Sequence, residues 1–187
     1  MTELQNKIVA EARQWIGTRW GHQKMIKGVQ CDCAGMIRGT LEAVIGLKYK
    51  DVWDYGHRPD APTLISTLNK YFIWIPAAEA APGDIMLFKI DGNPQHLAIR
   101  TDKGIIHAYA AGPKRVEEVS FASPWPERLV GCWHVADQQI IDGPHSSEEF
   151  AVGSSRAEGI PVAERHPRLK NQKVGDNHTR EKRVIDE

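Results

Sequence analysis

The sequence predicts one α+β domain, with helices in its first part and an antiparallel sheet in its second. Apolar residues recur at helical spacing in the N-terminal part, whereas from Pro82 onward they alternate with a period of two. The pattern changes again at residue 137, beyond which charged residues, Gly, Pro and Ser replace the apolar periodicity. We therefore expect a folded domain over residues 1–136 and an extended or disordered tail over residues 137–187.

The composition narrows the classes of function. The chain has 187 residues, enough for one compact domain, and its 24 basic and 24 acidic side chains cancel. No overall field therefore attracts nucleic acid, and no apolar run reaches the roughly 20 residues that span a membrane. Three cysteines are an odd set and disfavour a disulfide framework. The first residues lack an apolar signal-peptide core, which predicts synthesis in the cytoplasm.

Three helices are predicted, at residues 3–16, 33–46 and 62–72. The second has the clearest boundaries, because Asp32 is a good N-cap and Gly46 a good C-terminal stop. Gly35 and Gly39 are poor helix formers, and their presence indicates that this helix packs closely against another element. A polar loop rich in glycine is expected between residues 17 and 30.

Five strands follow and are expected to form an antiparallel meander. The turn Pro82-Gly83-Asp84 opens the first of them. The predicted strands cover residues 85–90, 95–100, 104–110, 115–121 and 129–135. Together with the helices they predict a sheet of about five or six strands with N-terminal helices packed on it.

Cys33 is the first candidate for chemistry. It occupies the first turn of a helix behind an Asp cap, where backbone N–H groups and the helix dipole favour a thiolate. The same N–H groups are suited to hold a developing oxyanion. An inert, buried cysteine is the ordinary alternative for an isolated Cys, so position alone leaves the role of Cys33 open.

Two histidines lie on consecutive predicted strands joined by a turn of four residues. With an even loop and no bulge, His96, His107 and Tyr109 project from one face of the hairpin, and Leu97 and Ile106 from the other. Such a pair suits a general base whose second ring nitrogen is held by a polar partner. Two unrelated surface histidines would show the same spacing, so this pattern also leaves both interpretations open.

A zinc site is a competing interpretation, because cysteine and histidine are both zinc ligands. Structural zinc sites usually contain two cysteines separated by two to four residues. Here Cys31 and Cys33 are separated by one residue at a helix entry, so we expect no metal and no other cofactor. Cys132 lies in an apolar strand and is expected in the core.

Taken together, these segments resemble the NlpC-type peptidases, papain-like enzymes that cut the stem peptides of bacterial peptidoglycan. The resemblance lies in Asp32-Cys-Ala-Gly35, Pro82-Gly-Asp84, Gln95-His-Leu-Ala-Ile99 and Gly104-Ile-Ile-His-Ala-Tyr109. Trp15-Ile-Gly-Thr18 and the pair His22-Gln23 are similar to the version found in phage-tail cell-wall peptidases. The resemblance runs in order from about residue 3 to about residue 135, and it does not include the tail.

This resemblance implies a role for each matched residue. Cys33 is the nucleophile, His96 the general base and acid, and His107 the residue that orients His96. His22 and Gln23 are candidates for oxyanion or substrate contacts, or for structural roles in their loop. Trp20 follows Arg19 where the family often has Pro-Tyr, and its indole N–H does not replace a tyrosine hydroxyl.

The resemblance also implies a function and partners. It predicts hydrolysis near the link between D-glutamate and the diamino acid of peptidoglycan stem peptides. Incorporation in a phage-like tail is expected, where residues 137–187 would contact hub or tip proteins and the enzyme would open the wall for DNA delivery. An amidase or acyltransferase on the same scaffold and a non-catalytic tail-tip subunit are the alternatives.

Overall fold

The computed structural model describes residues 1–47, 55–56 and 60–136, and these form an α+β domain, as predicted. The predicted tail over residues 137–187 lies outside the described residues, so its conformation and partners stay predictions. The helices are α1 (Glu3–Arg13), α2 (Cys33–Ile45), α3 (Ala61–Tyr71) and the single-turn α4 (Trp125–Arg128).

The described strands form two sheets. A small sheet has the order β1-β3-β2, with β1 (Arg19–Trp20), β2 (Met25–Ile26) and β3 (Gln30–Cys31). The large sheet is antiparallel, with β4 (Ile73–Ile75), β5 (Ile85–Ile90), β6 (Asn93–Arg100), β7 (Ile105–Ala108), β8 (Val116–Val119) and β9 (Leu129–His134).

The sheet departs from the expected meander. Its order is β4-β9-β5-β6-β7-β8, so only β5 to β8 are sequential neighbours, and β9 returns to lie between β4 and β5. Sequence periodicity did not show β4, the short α4 or the small sheet within the predicted loop. These elements have two to four residues, too few for a period to appear. Helix α1 also ends three residues earlier than expected, and Gln14 caps it.

Helix α2 is positioned by its cap and by its glycines. Asp32 accepts a hydrogen bond from the Gly35 backbone N–H at 2.8 Å, and Gly46 ends the helix in the left-handed region at φ +69°. A Cβ on Gly35 would stand 1.9 Å from the Lys24 carbonyl oxygen, and one on Gly39 would stand 2.3 Å from the Trp15 ring. Both glycines therefore permit the close packing that the sequence predicted, and they bring the start of α2 against the small sheet.

The sheet is buried on both faces. On one face, Leu97, Ile99 and Ile106 pack with the apolar sides of α1 and α2 to form the main core. On the other face a smaller core contains Met86, Phe88, Ala98, Ile105, Trp125 and Cys132. The register pairs Ile99 with Ile106, which places His96 and His107 together on the face of the smaller core. The predicted distribution of the hairpin side chains over two faces is confirmed.

In the described ranges there is no helix with the length and apolar character that crossing a membrane requires.

Candidate active site

A cavity of about 540 Å³ opens at the N-terminus of α2. Helix α3, strand β6 and the end of β7 form its other walls. Five residues predicted from the sequence line this cavity: Trp20, His22, Asp32, Cys33 and His96. Tyr55 and Tyr109 line it as well, whereas Gln23 and His107 do not. The fold thus brings Cys33 and His96, 63 positions apart in the numbering, to the walls of one cavity.

Cys33 is the first residue of α2 and is half-buried. Burial and the nearby Asp32 carboxylate raise the pKa of its thiol to about 12, while hydrogen bonds from the backbone amides of Leu97 and Ala34 lower it less. The helix N-terminus alone would lower the pKa of the thiol. Desolvation and the neighbouring charge outweigh the dipole here, so the pKa rises instead. These surroundings favour the neutral thiol over the thiolate.

His96 and His107 form a buried pair. Their side chains are 5% and 3% exposed, so the alternative of two surface histidines is wrong. Nε2 of His96 lies 2.8 Å from Nδ1 of His107. Burial lowers the pKa of His107 to about 4 against a smaller upward effect of Glu117. It also lowers the pKa of His96 well below its ordinary value, with smaller effects from His107 and Arg128.

The hydrogen bond determines how the pair can act. Because Nε2 of His96 is engaged with His107, Nδ1 is the ring nitrogen of His96 that this hydrogen bond leaves available to accept a proton. That role requires Nε2 of His96 to carry hydrogen and donate to Nδ1 of His107. Two neutral imidazoles in this tautomeric arrangement would suit a base and the partner that orients it.

Asp32 is the centre of a hydrogen-bond network beside Cys33. Its carboxylate accepts from the backbone N–H of Gln23 at 2.6 Å and of Gly35 at 2.8 Å. The Tyr55 hydroxyl donates to it as well, 2.7 and 2.9 Å from the two carboxylate oxygens. Burial and the proximity of Asp32 raise the pKa of Tyr55, so its phenol keeps the proton that it donates.

Tyr55 was not identified from the sequence. It comes from the connection between α2 and α3, where no motif marks it, and only the tertiary structure brings it to Asp32. Tyr55 contributes a phenol to the wall of the cavity, and the hydroxyl of that phenol donates to Asp32.

The remaining predicted residues divide between cavity and loop. Trp20 and His22 line the cavity, and Nδ1 of His22 lies 3.8 Å from the Asp32 carboxylate. Gln23 instead has a left-handed backbone at φ +55°, and its side-chain amide donates to the Tyr55 carbonyl at 2.8 Å. The contacts of Gln23 favour a structural role in its loop.

The other two cysteines lie away from the cavity. Cys31 is fully buried in the main core, and Cys132 is fully buried in the smaller one, as expected for Cys132. Within the described part of the chain, no three His, Cys, Asp or Glu residues are arranged to hold a metal ion.

The fold and the site define a class of protein: an α+β domain in which a thiol at a helix N-terminus and a histidine line one cavity, and that histidine is hydrogen-bonded to a second. Such an arrangement is suited to covalent acyl chemistry, because the thiol can attack a carbonyl as the imidazole takes its proton.

This architecture is the NlpC/p60 fold. The chain is similar to the NlpC/p60 domain of the peptidoglycan hydrolase SagA, with 24% identity and a TM-score of 0.51, over 70% of this chain and 98% of that one. It is similar to an NlpC/p60 family protein from Bacillus cereus, with 18% identity and a TM-score of 0.54, over 70% of this chain. It is also similar to NlpC2 from Trichomonas vaginalis, with 17% identity and a TM-score of 0.53, over 72% of this chain.

These likenesses show the fold. The matched region covers 39% of the Bacillus cereus chain and 48% of the Trichomonas chain, so this chain spans less than half of either. No family model and no curated protein matches the sequence.

Proposed function

We propose that this protein is a cysteine endopeptidase that hydrolyses peptide bonds in the stem peptides of bacterial peptidoglycan. The observation that carries the proposal is the cavity lined by both Cys33 and His96, with His107 hydrogen-bonded to His96 behind the cavity wall. The NlpC/p60 fold supports it, because a solved domain of this fold belongs to the peptidoglycan hydrolase SagA.

In the first half of the proposed reaction, Cys33 Sγ attacks the carbonyl carbon of the scissile bond while its proton passes to Nδ1 of His96. The Cys33 backbone N–H at the start of α2 is positioned to donate to the developing oxyanion, and His22 is a second candidate. His96 then gives the proton to the leaving amine, the C–N bond breaks, and a thioester to Cys33 remains.

In the second half, water attacks the thioester and gives a proton to His96. The C–S bond breaks, the acyl group leaves as a carboxylic acid, and the proton returns to Cys33. His107 accepts the hydrogen bond from His96 throughout and stabilises the imidazolium that forms twice per cycle.

The test is digestion of purified peptidoglycan, with mass spectrometry of the muropeptides. Wild-type protein should release fragments with a new amino terminus, and the proposed bond is the one between D-glutamate and the diamino acid. Cys33→Ser should release none, whereas Cys31→Ser, a matched change outside the cavity, should keep most of the activity. Equal loss in two folded variants would overturn the choice of nucleophile, and inactivation by EDTA that zinc reverses would favour a metal enzyme.

We further propose that the protein acts in a phage-like tail and opens the wall locally for DNA delivery. The resemblance of Trp15-Ile-Gly-Thr18 and His22-Gln23 to phage-tail peptidases supports this proposal. Deletion of residues 140–187 should leave hydrolysis of soluble wall fragments intact and abolish incorporation into the particle. A truncated protein that still assembles would contradict the proposed anchor.

A further inference from the structure

The histidine pair is packed against an indole ring that has no part in the proposed reaction. Trp125, the first residue of α4, has its ring centroid 4.7 Å from that of His107, with the two rings at 88°. It lies 5.7 Å from the ring of His96. Trp125 is 8% exposed and does not line the cavity, so it contacts the histidines without access to a substrate in that cavity.

Two further rings complete an aromatic cage, here defined as Phe88, Tyr109 and Trp125. Tyr109 stacks on His107 at 14° and 5.6 Å, and its centroid is 5.2 Å from that of His96. Phe88 contacts the edge of Trp125 at 5.3 Å and reaches His96 at 6.4 Å. These contacts restrict the rotation of both imidazoles, because close-packed rings leave no room for another rotamer.

The charged and titratable groups around the pair come from three other elements. Glu117 on β8 pairs with His107 across the sheet, and its carboxylate accepts from the Arg115 guanidinium at 3.1 and 3.2 Å. Arg128 on α4 places its guanidinium 5.8 Å from the Trp125 ring centroid. Cys33 on α2 shares the cavity with His96. Glu117 favours the imidazolium form of His107 and Arg128 opposes that of His96, and burial has a larger effect on each pKa than either charge.

We propose that Trp125 is a positioning residue of the histidine pair: it keeps the two rings in hydrogen-bonding contact and shields them from water. The catalytic part of this inference rests on the proposed function, whereas the state of the histidines does not.

The state of the histidines is measured directly by NMR titration of protein labelled with ¹⁵N in the imidazole rings. In wild type the pKa of His107 should be about 4. In Trp125→Ala, water reaches the pair and the pKa of His107 should rise by about one unit or more, a tenfold change in protonation. Trp125→Phe keeps most of the core volume and should give a smaller rise in the same direction.

Phe121→Ala is the matched control, because Phe121 packs on Phe88 and on the Arg100 guanidinium in the same small core. It should lower the melting temperature and leave the titration of His107 unchanged. The proposal would be overturned if the pKa of His107 were unchanged in folded Trp125→Ala and Trp125→Phe. It would also be overturned if this pKa shifted equally in Phe121→Ala.

Hydrolysis of a soluble stem peptide gives the second measurement. In a plot of kcat/KM against pH, the acid limb should move to higher pH in Trp125→Ala and stay in place in Phe121→Ala. A rise in the pKa of His107 without a shift of the acid limb would overturn the role of Trp125 in catalysis. Wild-type protein without any hydrolysis would instead overturn the proposed function, and the titration would still decide whether Trp125 controls the histidines.

Discussion

The ionisation of Cys33 determines how the proposed reaction begins, and alkylation measures it. Iodoacetamide reacts with the thiolate, so the rate of labelling follows the ionised fraction. With a pKa of about 12, roughly one thiol in ten thousand is ionised at pH 8, about a thousandfold fewer than for an ordinary thiol with a pKa of 9. The labelling rate should therefore rise about tenfold per pH unit from pH 6 to pH 10, without a plateau.

The assay is mass spectrometry of the protein after timed exposure to iodoacetamide, with N-acetylcysteine as the reference thiol. Cys33→Ser is the control for the site of labelling, and it should stay unlabelled while folded because Cys31 and Cys132 are fully buried. The shape of the pH profile is decisive, since restricted access lowers the rate equally at every pH.

A plateau in the labelling rate below pH 7 would refute this reasoning. It would show a preformed thiolate and imidazolium in the free enzyme, in which the charges stabilise each other despite burial. A continuous rise would show that Cys33 is a neutral thiol in the free enzyme, as the proposed transfer of its proton during the attack requires.

Three further predictions concern the residues around Cys33. His96→Ala should be nearly inactive in peptide hydrolysis while His107→Ala keeps some activity, because His96 moves the proton and His107 only orients His96. The reverse order of activity in folded variants would exchange the two roles. Tyr55→Phe removes the hydroxyl that donates to Asp32. In steady-state kinetics it should lower kcat/KM roughly fivefold, which corresponds to about 1 kcal/mol for one hydrogen bond. Unchanged kinetics would exclude a role for the phenol. Gly35→Ala places a Cβ 1.9 Å from a backbone carbonyl oxygen and should lower the free energy of unfolding, measured in urea, by about 3 kcal/mol or more. The control Gly46→Ala has open space around its Cβ and should lower this free energy by about 1 kcal/mol. Equal losses would contradict the steric argument.

The sequence by itself determined the features that depend on neighbours along the chain. The Asp32 cap, the Gly46 stop and the boundaries of α2 follow from local backbone geometry. The two faces of the β6–β7 hairpin follow from a period of two and a loop of four residues. These patterns were enough to predict the α+β class and to name Cys33, His96 and His107 as candidates before any contact was known.

The tertiary structure decided what depends on residues far apart in the chain. Strand β9 pairs with β5 rather than β8, and Tyr55 reaches Asp32 from a connection with no motif. Trp125 covers the histidines from a single helical turn. The tertiary structure also sets the pKa of the Cys33 thiol: desolvation and the charge of Asp32 raise this pKa, against the effect of the helix dipole that can be anticipated from the chain alone.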